Sequence, residues 1–267
     1  MTSRRPRTDP SDVARRAWEE ASDVWDDFEE AGKDVSRDLV HGPSLLRTVG
    51  TLRGRRVLDV GCGQGRFTRQ LADRGARITA IDWSRRLIRA ARAREKDNPL
   101  GIGYRWMDAR ELGRRFPAAS FDVVVSCMAF MDMPDLPRVL RGIRTVLVPD
   151  GRLVFSISHP FNTAAERWEP PSAAGRGGMV IDRYFSKRSG VTTWAMARLL
   201  RPFDTPYWHR TFESWFALLR RSGFEVVGLT EPHASSRQVR EQPLLRGASD
   251  VPFFLVLSCR AGAARRR

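Results

Sequence analysis

The sequence predicts an α/β fold in which helices cover both faces of a mostly parallel sheet, and three observations carry that reading. Between residues 55 and 158, apolar runs alternate with helical patterns, the mark of successive βα units. The first run, Arg56-Val57-Leu58-Asp59-Val60, meets three glycines at alternating positions, Gly61, Gly63 and Gly65, and a helical pattern follows. The second run ends at Asp82, twenty-one residues after Gly61.

The elements follow in order. Residues 1–10 carry no apolar pattern and are expected to be disordered. Residues 11–49 read as two helices around Gly32, with Trp18, Trp25 and Phe28 at i, i+7 and i+10 on one face. That stripe suits docking on the core, and equally suits closing a pocket. Strands are expected near 56–60, 77–82, 102–107, 121–127 and 151–158, and helices near 64–74, 84–96 and 135–147. From 160 to 210 the rhythm breaks, with Pro160, Pro170, Pro171, Gly175, Gly177 and Gly178 punctuating a stretch rich in aromatics. A loop this long inside a compact domain is functional or disordered, and its aromatics argue for a lid holding a short helix or hairpin. Thr211 is placed to cap a helix that ends before Gly223. Residues 224–229 and 251–259 read as strands, and 233–250 between them as an exposed loop. The expected organisation is a helical cap over 1–49, one core made of 50–159 and 211–260, an inserted lid over 160–210 and a basic tail over 261–267.

Composition narrows the class. A length of 267 residues and a hydrophobic fraction of 42% support one α/β domain with an insertion and a real core. No apolar run approaches the ~20 residues of a membrane span, and the first ten residues lack the apolar stretch of a secretory signal. Cys62, Cys127 and Cys259 are isolated, which reads as reduced thiols in a cytoplasmic protein without a metal site. A net charge of +15 raises nucleic acid as a partner, but the arginines are scattered. Two clusters lie in the tails, at Arg4, Arg5 and Arg7 and at Arg265 to Arg267, while Glu19 to Glu30 is acidic.

The glycine turn dictates the chemistry. Without a Cβ, a ligand can come against the backbone, and the following helix start offers N–H groups and a positive dipole end. An acid at the end of the next strand can take both hydroxyls of a ribose. The dinucleotide pattern requires a third glycine at position 66, and that residue is Arg66. The ligand therefore carries a ribose but the turn is of another kind, with Asp59 two residues before the first glycine.

Val57 to Gly65 resembles the first motif of the class I S-adenosylmethionine-dependent methyltransferases, (V/I)LD(V/L)GCGxG. Asp82-Trp83-Ser84, Met107-Asp108-Ala109, Phe121 to Ser126 and Leu147 to Leu153 resemble the later motifs in the right order, with Asp150 where a glycine is usual. The similarity points to the small-molecule branch, of the ubiquinone and menaquinone biosynthesis type. It implies a Rossmann-like fold whose seven-stranded, mostly parallel sheet has an antiparallel last strand. It implies S-adenosyl-L-methionine as cofactor and S-adenosyl-L-homocysteine as product. It further implies that Asp59 holds the loop and binds the ammonium group, that Gly61, Cys62 and Gly63 admit the methionine end, and that Asp82 takes the ribose. Trp83 would pack on adenine, Asp108 and Ala109 would meet its edge, and the segment from Ser126 to Met131 would line the methyl.

On the acceptor side, His159 directly follows the fifth strand and has the pKa range of a base near neutrality, with His209 as a second candidate. Trp18, Trp25, Phe130, Phe161, Tyr184 and Arg210 are expected to line the substrate pocket, whereas His41 and His233 read as structural or exposed. Aromatic faces suit a sulfonium and an apolar or aromatic acceptor. The function expected is in-line methyl transfer to O, N or C of a small molecule in secondary metabolism. The alternatives are a nucleic-acid methyltransferase, for which the (D/N)PP(Y/F) motif after the fourth strand is missing, and a cofactor-binding homologue without turnover. The oligomeric state stays open.

Overall fold

The structure, a computed structural model, describes residues 9–169, 178–195 and 199–262. The two arginine-rich tails and the lid positions Pro170, Pro171, Gly175 and Gly177 lie outside these residues.

Helix α1 (Pro10–Glu30) starts where Asp9 accepts the Ser11 N–H and Pro10 occupies the first turn. A single π-helical turn (Arg37–His41) leads into α2 (Gly42–Val49). The βα units then follow: β1 (Arg56–Val60), α3 (Arg66–Ala72), β2 (Arg77–Asp82), α4 (Arg85–Asp97), β3 (Gly103–Trp106), α5 (Leu112–Arg115), β4 (Phe121–Cys127), α6 (Leu136–Val146) and β5 (Leu147–Ser158). Two three-residue 3-10 turns, at Ala109–Glu111 and Phe130–Asp132, follow β3 and β4. Asp150, at φ +57, makes the turn inside β5 that a glycine usually makes.

The sheet runs β3-β2-β1-β4-β5-β11-β10, where β10 is Phe224–Thr230 and β11 is Phe254–Ala261. β1 to β5 pair in parallel, and β11 runs antiparallel between β5 and β10. The sheet is thus seven-stranded and mostly parallel, as the motifs implied. Chain order reverses between β1 and β4, so a crevice opens outside their carboxyl ends.

Sequence periodicity explains the layers. Leu136, Val139, Leu140, Ile143 and Val146 of α6 are all buried at helical spacing, against β4, β5 and the face of α8 (Phe212–Arg221) that carries Trp215 and Leu219. On the other face, Leu45 and Val49 of α2, Phe67 and Leu71 of α3, and Ile88 and Ala91 of α4 pack on the central strands. Each fully buried side chain of this kind contributes roughly 1.5–3 kcal/mol. Ser84 caps α4 by accepting the Leu87 N–H, and Thr211 caps α8 by accepting the Ser214 N–H, as its position predicted.

The segment between β5 and α8 holds one short helix, α7 (Pro160–Ala164), and two hairpins, β6–β7 (Ala165–Glu169 with Gly178–Ile181) and β8–β9 (Ser189–Trp194 with Phe203–Trp208). Trp194 and Phe203 of the second hairpin pack with Trp18 and Trp25, fastening it to α1.

One expectation is corrected. Residues 233–250 form α9 (Ser236–Glu241), a 3-10 turn (Pro243–Leu245) and α10 (Gly247–Asp250) rather than an exposed loop. Ala234, Leu245 and Ala248 are buried against Val40. These buried residues are isolated along the segment, and α9 itself buries none, so no periodic signal arises.

Candidate active site

The turn after β1 is built for backbone approach. Gly61 stands at φ +78, and a Cβ there would lie 2.5 Å from the Ala129 Cβ, so no other residue fits. The N–H groups of Gly61 and Cys62 donate to the Ile81 carbonyl at 2.9 and 3.0 Å, which fixes the turn to β2. Ser126, at the end of β4, donates its hydroxyl to the Val60 carbonyl at 2.8 Å and holds the turn from behind.

Asp82 is locked by two backbone donors, Gly63 N–H to Oδ2 at 2.9 Å and Ser84 N–H to Oδ1 at 2.8 Å. Each carboxylate oxygen has a second lone-pair direction, so two further donors can be accepted. Burial pushes its carboxyl up to about 6, the two backbone bonds oppose that, and the charge of Glu19 adds to it. Asp59 is buried in β1, with Oδ2 accepting the Thr68 hydroxyl at 2.7 Å. Its Oδ1 has no partner, and burial pushes the carboxyl up to about 7. Two donors beside the same turn are also unpartnered, Gln64 Nε2 and Arg66 Nε.

These atoms border a cavity of about 660 Å3 outside the carboxyl ends of β1, β2 and β4. Its wall includes Asp59, Gly61, Cys62, Gly63, Asp82 and Trp83, and after β3 Asp108 and Ala109. Asp108 caps the 3-10 turn through the Arg110 N–H and pairs with the Arg110 guanidinium at 2.7 Å, which reaches on to Asp9 at 3.0 Å. Helix α1 roofs the cavity with Trp18 and Trp25. The stripe therefore both docks the helix and faces the pocket. Glu19 accepts the Ser84 hydroxyl at 2.6 Å, and the Arg66 guanidinium donates to the Glu29 carbonyl at 2.6 Å.

Several expected site residues stand elsewhere. Ser126 is fully buried and spends its hydroxyl on Val60, so Cys127, Met128 and Ala129 line the cavity in its place. Phe130 packs on Phe155 with ring centres 5.1 Å apart, inside the core. Phe161 sits against His159 and Tyr184, and the Tyr184 hydroxyl accepts the Phe212 N–H at 3.0 Å. Arg210 donates to the carbonyls of Trp208 and Met133 and lies over the Trp215 ring. None of these four reaches the cavity wall.

The two histidines are placed likewise. His159 is 0% exposed, accepts the Phe161 N–H on Nδ1 at 3.2 Å as the cap of α7, and meets Glu231 through Nε2 at 2.9 Å. His209 bonds Thr163 at 2.8 Å and the Tyr184 carbonyl at 2.7 Å. All four ring nitrogens are engaged, burial pulls both pKa values down, and neither ring is on the wall. A strand-end position specifies the edge of the sheet, not the direction in which the side chain turns.

Other polar groups do line the cavity. His41 is 3% exposed, with Nδ1 unpartnered and its ring 4.5 Å from that of Phe254. Burial, helped by the charge of Arg37, pushes its imidazole down to about 3. Asp132 is buried, its carboxyl raised to about 8 by desolvation against a hydrogen bond from Trp18 and the nearby charge of Arg210. Asn162, Ser158 and Arg246 complete this side. Asp132 had one sequence signal, a lone acid between two methionines after the fourth strand; His41 had none, because a π turn leaves no periodicity.

A glycine turn, a locked strand-end acid and a roofed crevice at the point of strand reversal define a Rossmann-like enzyme for a nucleoside-bearing cofactor. Known proteins make that specific. Residues 58–155 match the family described as "Methyltransferase domain". A crystal structure of an S-adenosylmethionine-dependent methyltransferase from Mesorhizobium loti is 31% identical, superposes with a TM-score of 0.68, and is covered over 96% of its length by 82% of this chain. A ubiquinone biosynthesis O-methyltransferase of Coxiella burnetii is 32% identical over 160 residues, which are 58% of this chain and 65% of the relative, so the chain spans less than two thirds of it. The 1,6-didemethyltoxoflavin-N1-methyltransferase of Burkholderia thailandensis, seen with S-adenosylhomocysteine, shares the fold at 19% identity and a TM-score of 0.55, over 97% of this chain and 93% of its own. The chain belongs to the class I S-adenosylmethionine-dependent methyltransferases.

The cofactor is S-adenosylmethionine, and the vacant hydrogen-bonding capacity fits it. An unpartnered carboxylate oxygen on Asp59 and two unpartnered donors, on Gln64 and Arg66, complement the ammonium and carboxylate of an amino-acid end. Among the described residues, no cluster of His, Cys, Asp or Glu could hold a metal ion, and no helix is long and apolar enough to cross a membrane.

Proposed function

We propose that this methyltransferase acts on a small, flat, largely apolar metabolite, as a cytoplasmic enzyme of secondary metabolism. The supporting observation is the cavity itself. From Asp82 it continues past the glycine turn to Phe253 and Phe254 at the start of β11, beyond the groups that fit the cofactor. Its volume, about 660 Å3, lies within the range of small-ligand pockets, roughly 300–1,000 Å3.

In this reading Asp82 accepts from the ribose hydroxyls, Trp83 packs on adenine, and Asp108 with Ala109 meets its edge. Asp59 takes the ammonium, and Gln64 and Arg66 the carboxylate. The bound cofactor supplies an activated methyl group. The chain's own work is to align the acceptor in line with it and to exclude water. Residues 1–49 act as the cap and 160–210 as the lid, closed against each other by Trp18, Trp25, Trp194 and Phe203. The O-methyltransferase among the relatives favours oxygen as the methyl acceptor.

The test is turnover of pure protein with methyl-labelled S-adenosylmethionine, read as S-adenosylhomocysteine release, against a panel of aromatic metabolites and, separately, bulk RNA. Release with aromatic acceptors and none with RNA is expected. Turnover with RNA alone overturns the reading.

A further inference from the structure

Resting on that reading, we propose that His41 receives the proton of the acceptor, a hydroxyl on a flat aromatic ring held against Phe254. By sequence pattern alone His41 reads as structural or exposed. The structure brings His41 to the cavity wall through a π-helical turn, a rare device that recurs at functional sites. The turn closes when the Gly42 N–H donates to the Arg37 carbonyl, five residues back. Gly42 has no alternative, since a Cβ there would overlap the Arg37 carbonyl oxygen. Arg37 is in turn held by Glu29 of α1 and by Asp38, so the register of the turn is fixed from both sides.

The surroundings of His41 select the acceptor. Its ring lies 4.5 Å from Phe254, at 39° between planes, and Phe254 pairs with Ser158 at the end of β5. This is the β4–β5–β11 side of the cavity, away from the strand ends of β2 and β3 that carry Asp82 and Asp108. The Phe253, Phe254 and Ala248 side of the cavity, with one buried His41 nitrogen lacking a partner, suits a planar molecule that brings its own donor. Burial and the adjacent Arg37 guanidinium keep the imidazole neutral, so it does not repel a sulfonium and accepts the hydroxyl's hydrogen bond; the proton follows only as transfer makes the hydroxyl acidic and removes the sulfonium charge.

The chemistry balances. The hydroxyl oxygen forms its bond to the methyl carbon as the bond from that carbon to sulfur breaks, and the electron pair remains on sulfur. The hydroxyl proton passes to the His41 imidazole. One cation disappears from the pocket as another forms, so the net charge of a low-dielectric site is unchanged. Solvent takes the proton after product leaves. An amine attacks through its lone pair before losing a proton, and so draws less benefit from this arrangement.

His41→Phe keeps a ring against Phe254 and removes the nitrogens. Transfer to phenol, catechol and 2-naphthol should fall by about 100-fold or more, the usual worth of a positioned base. Affinity for S-adenosylmethionine, measured by calorimetry, should stay within about twofold, which shows the variant is folded. Binding of 2-naphthol to the S-adenosylhomocysteine complex should weaken in the same variant, without any turnover. In His41→Ala, added imidazole should restore part of the rate, and Gly42→Ala, which displaces the intact histidine, should lower the rate with cofactor affinity kept. Undiminished transfer in His41→Phe, or a wild-type enzyme that methylates aniline and 2-naphthylamine but none of the three hydroxyarenes, overturns the proposal while leaving the methyltransferase reading intact. Failure of the wild type to bind S-adenosylmethionine sinks that underlying reading instead.

Discussion

The cavity has two halves that the chain builds in different ways. The half proposed for the cofactor lies over β1, β2 and β3, and its groups come from three short stretches: 59–66, 82–83 and 108–109. The half proposed for the acceptor gathers His41 from the π turn, Asp132 from the turn after β4, Ser158 from the end of β5, Ala248 from α10 and Phe254 from β11. The first is a local motif repeated along consecutive strand ends; the second is assembled from five places over more than 200 residues of chain. On the proposed assignment, the shared cofactor is met by contiguous sequence and the particular acceptor by tertiary packing.

The comparison can be broken most forcefully at Asp82. Asp82→Ala removes a charged acceptor worth about 1.5–3 kcal/mol for each ribose hydroxyl, so affinity for S-adenosylmethionine should fall at least ~100-fold in calorimetry, with the circular dichroism spectrum retained. Next comes the acceptor half. Leu245→Ala, in the buried cluster with Val40 and Ala248, should cost about 2 kcal/mol in denaturant unfolding and raise the acceptor KM. Cofactor affinity should change less than twofold; an equal loss in both halves would dissolve the distinction.

A third effect is a matter of pH. Burial raises the Asp59 carboxyl from 3.8 to about 7. Its proton therefore favours the fold below about pH 4, and that advantage is lost as pH rises through 7. A bound ammonium group requires the ionised form, so cofactor binding should release a proton near neutrality. Affinity should fall about tenfold from pH 8 to pH 6, and Asp59→Asn should flatten the profile. The smallest chemical effect is expected at His159. His159→Ala removes the cap of α7 and should cost about 1 kcal/mol of stability, yet the transfer rate should stay within about threefold. A rate lost with stability kept would return His159 to the acceptor side.

Much of the fold was legible because strand and helix periods alternate cleanly from Arg56 to Ser158, because no Cβ fits at Gly61, and because Asp82 ends the second strand. The antiparallel β11 followed from the resemblance alone. Within the candidate site, Gly61, Gly63 and Asp82 follow from spacing at strand ends, whereas the role of Asp59 follows from the resemblance. Position along the chain does not show where His159 and His209 face, because hydrogen bonds to Glu231, Thr163 and Tyr184 turn their rings. Segment 233–250 was missed because its order depends on Val40, nearly 200 residues earlier. Asp132 was missed for a similar reason, its partner Trp18 lying on α1.

A crystal structure of the protein soaked with S-adenosylhomocysteine tests all of this at once. The account predicts both ribose hydroxyls on the Asp82 carboxylate, the amino-acid end among Asp59, Gln64 and Arg66, and the thioether sulfur facing the wall that holds His41. A nucleoside bound outside this crevice, or one whose sulfur points away from β4 and β5, would contradict it.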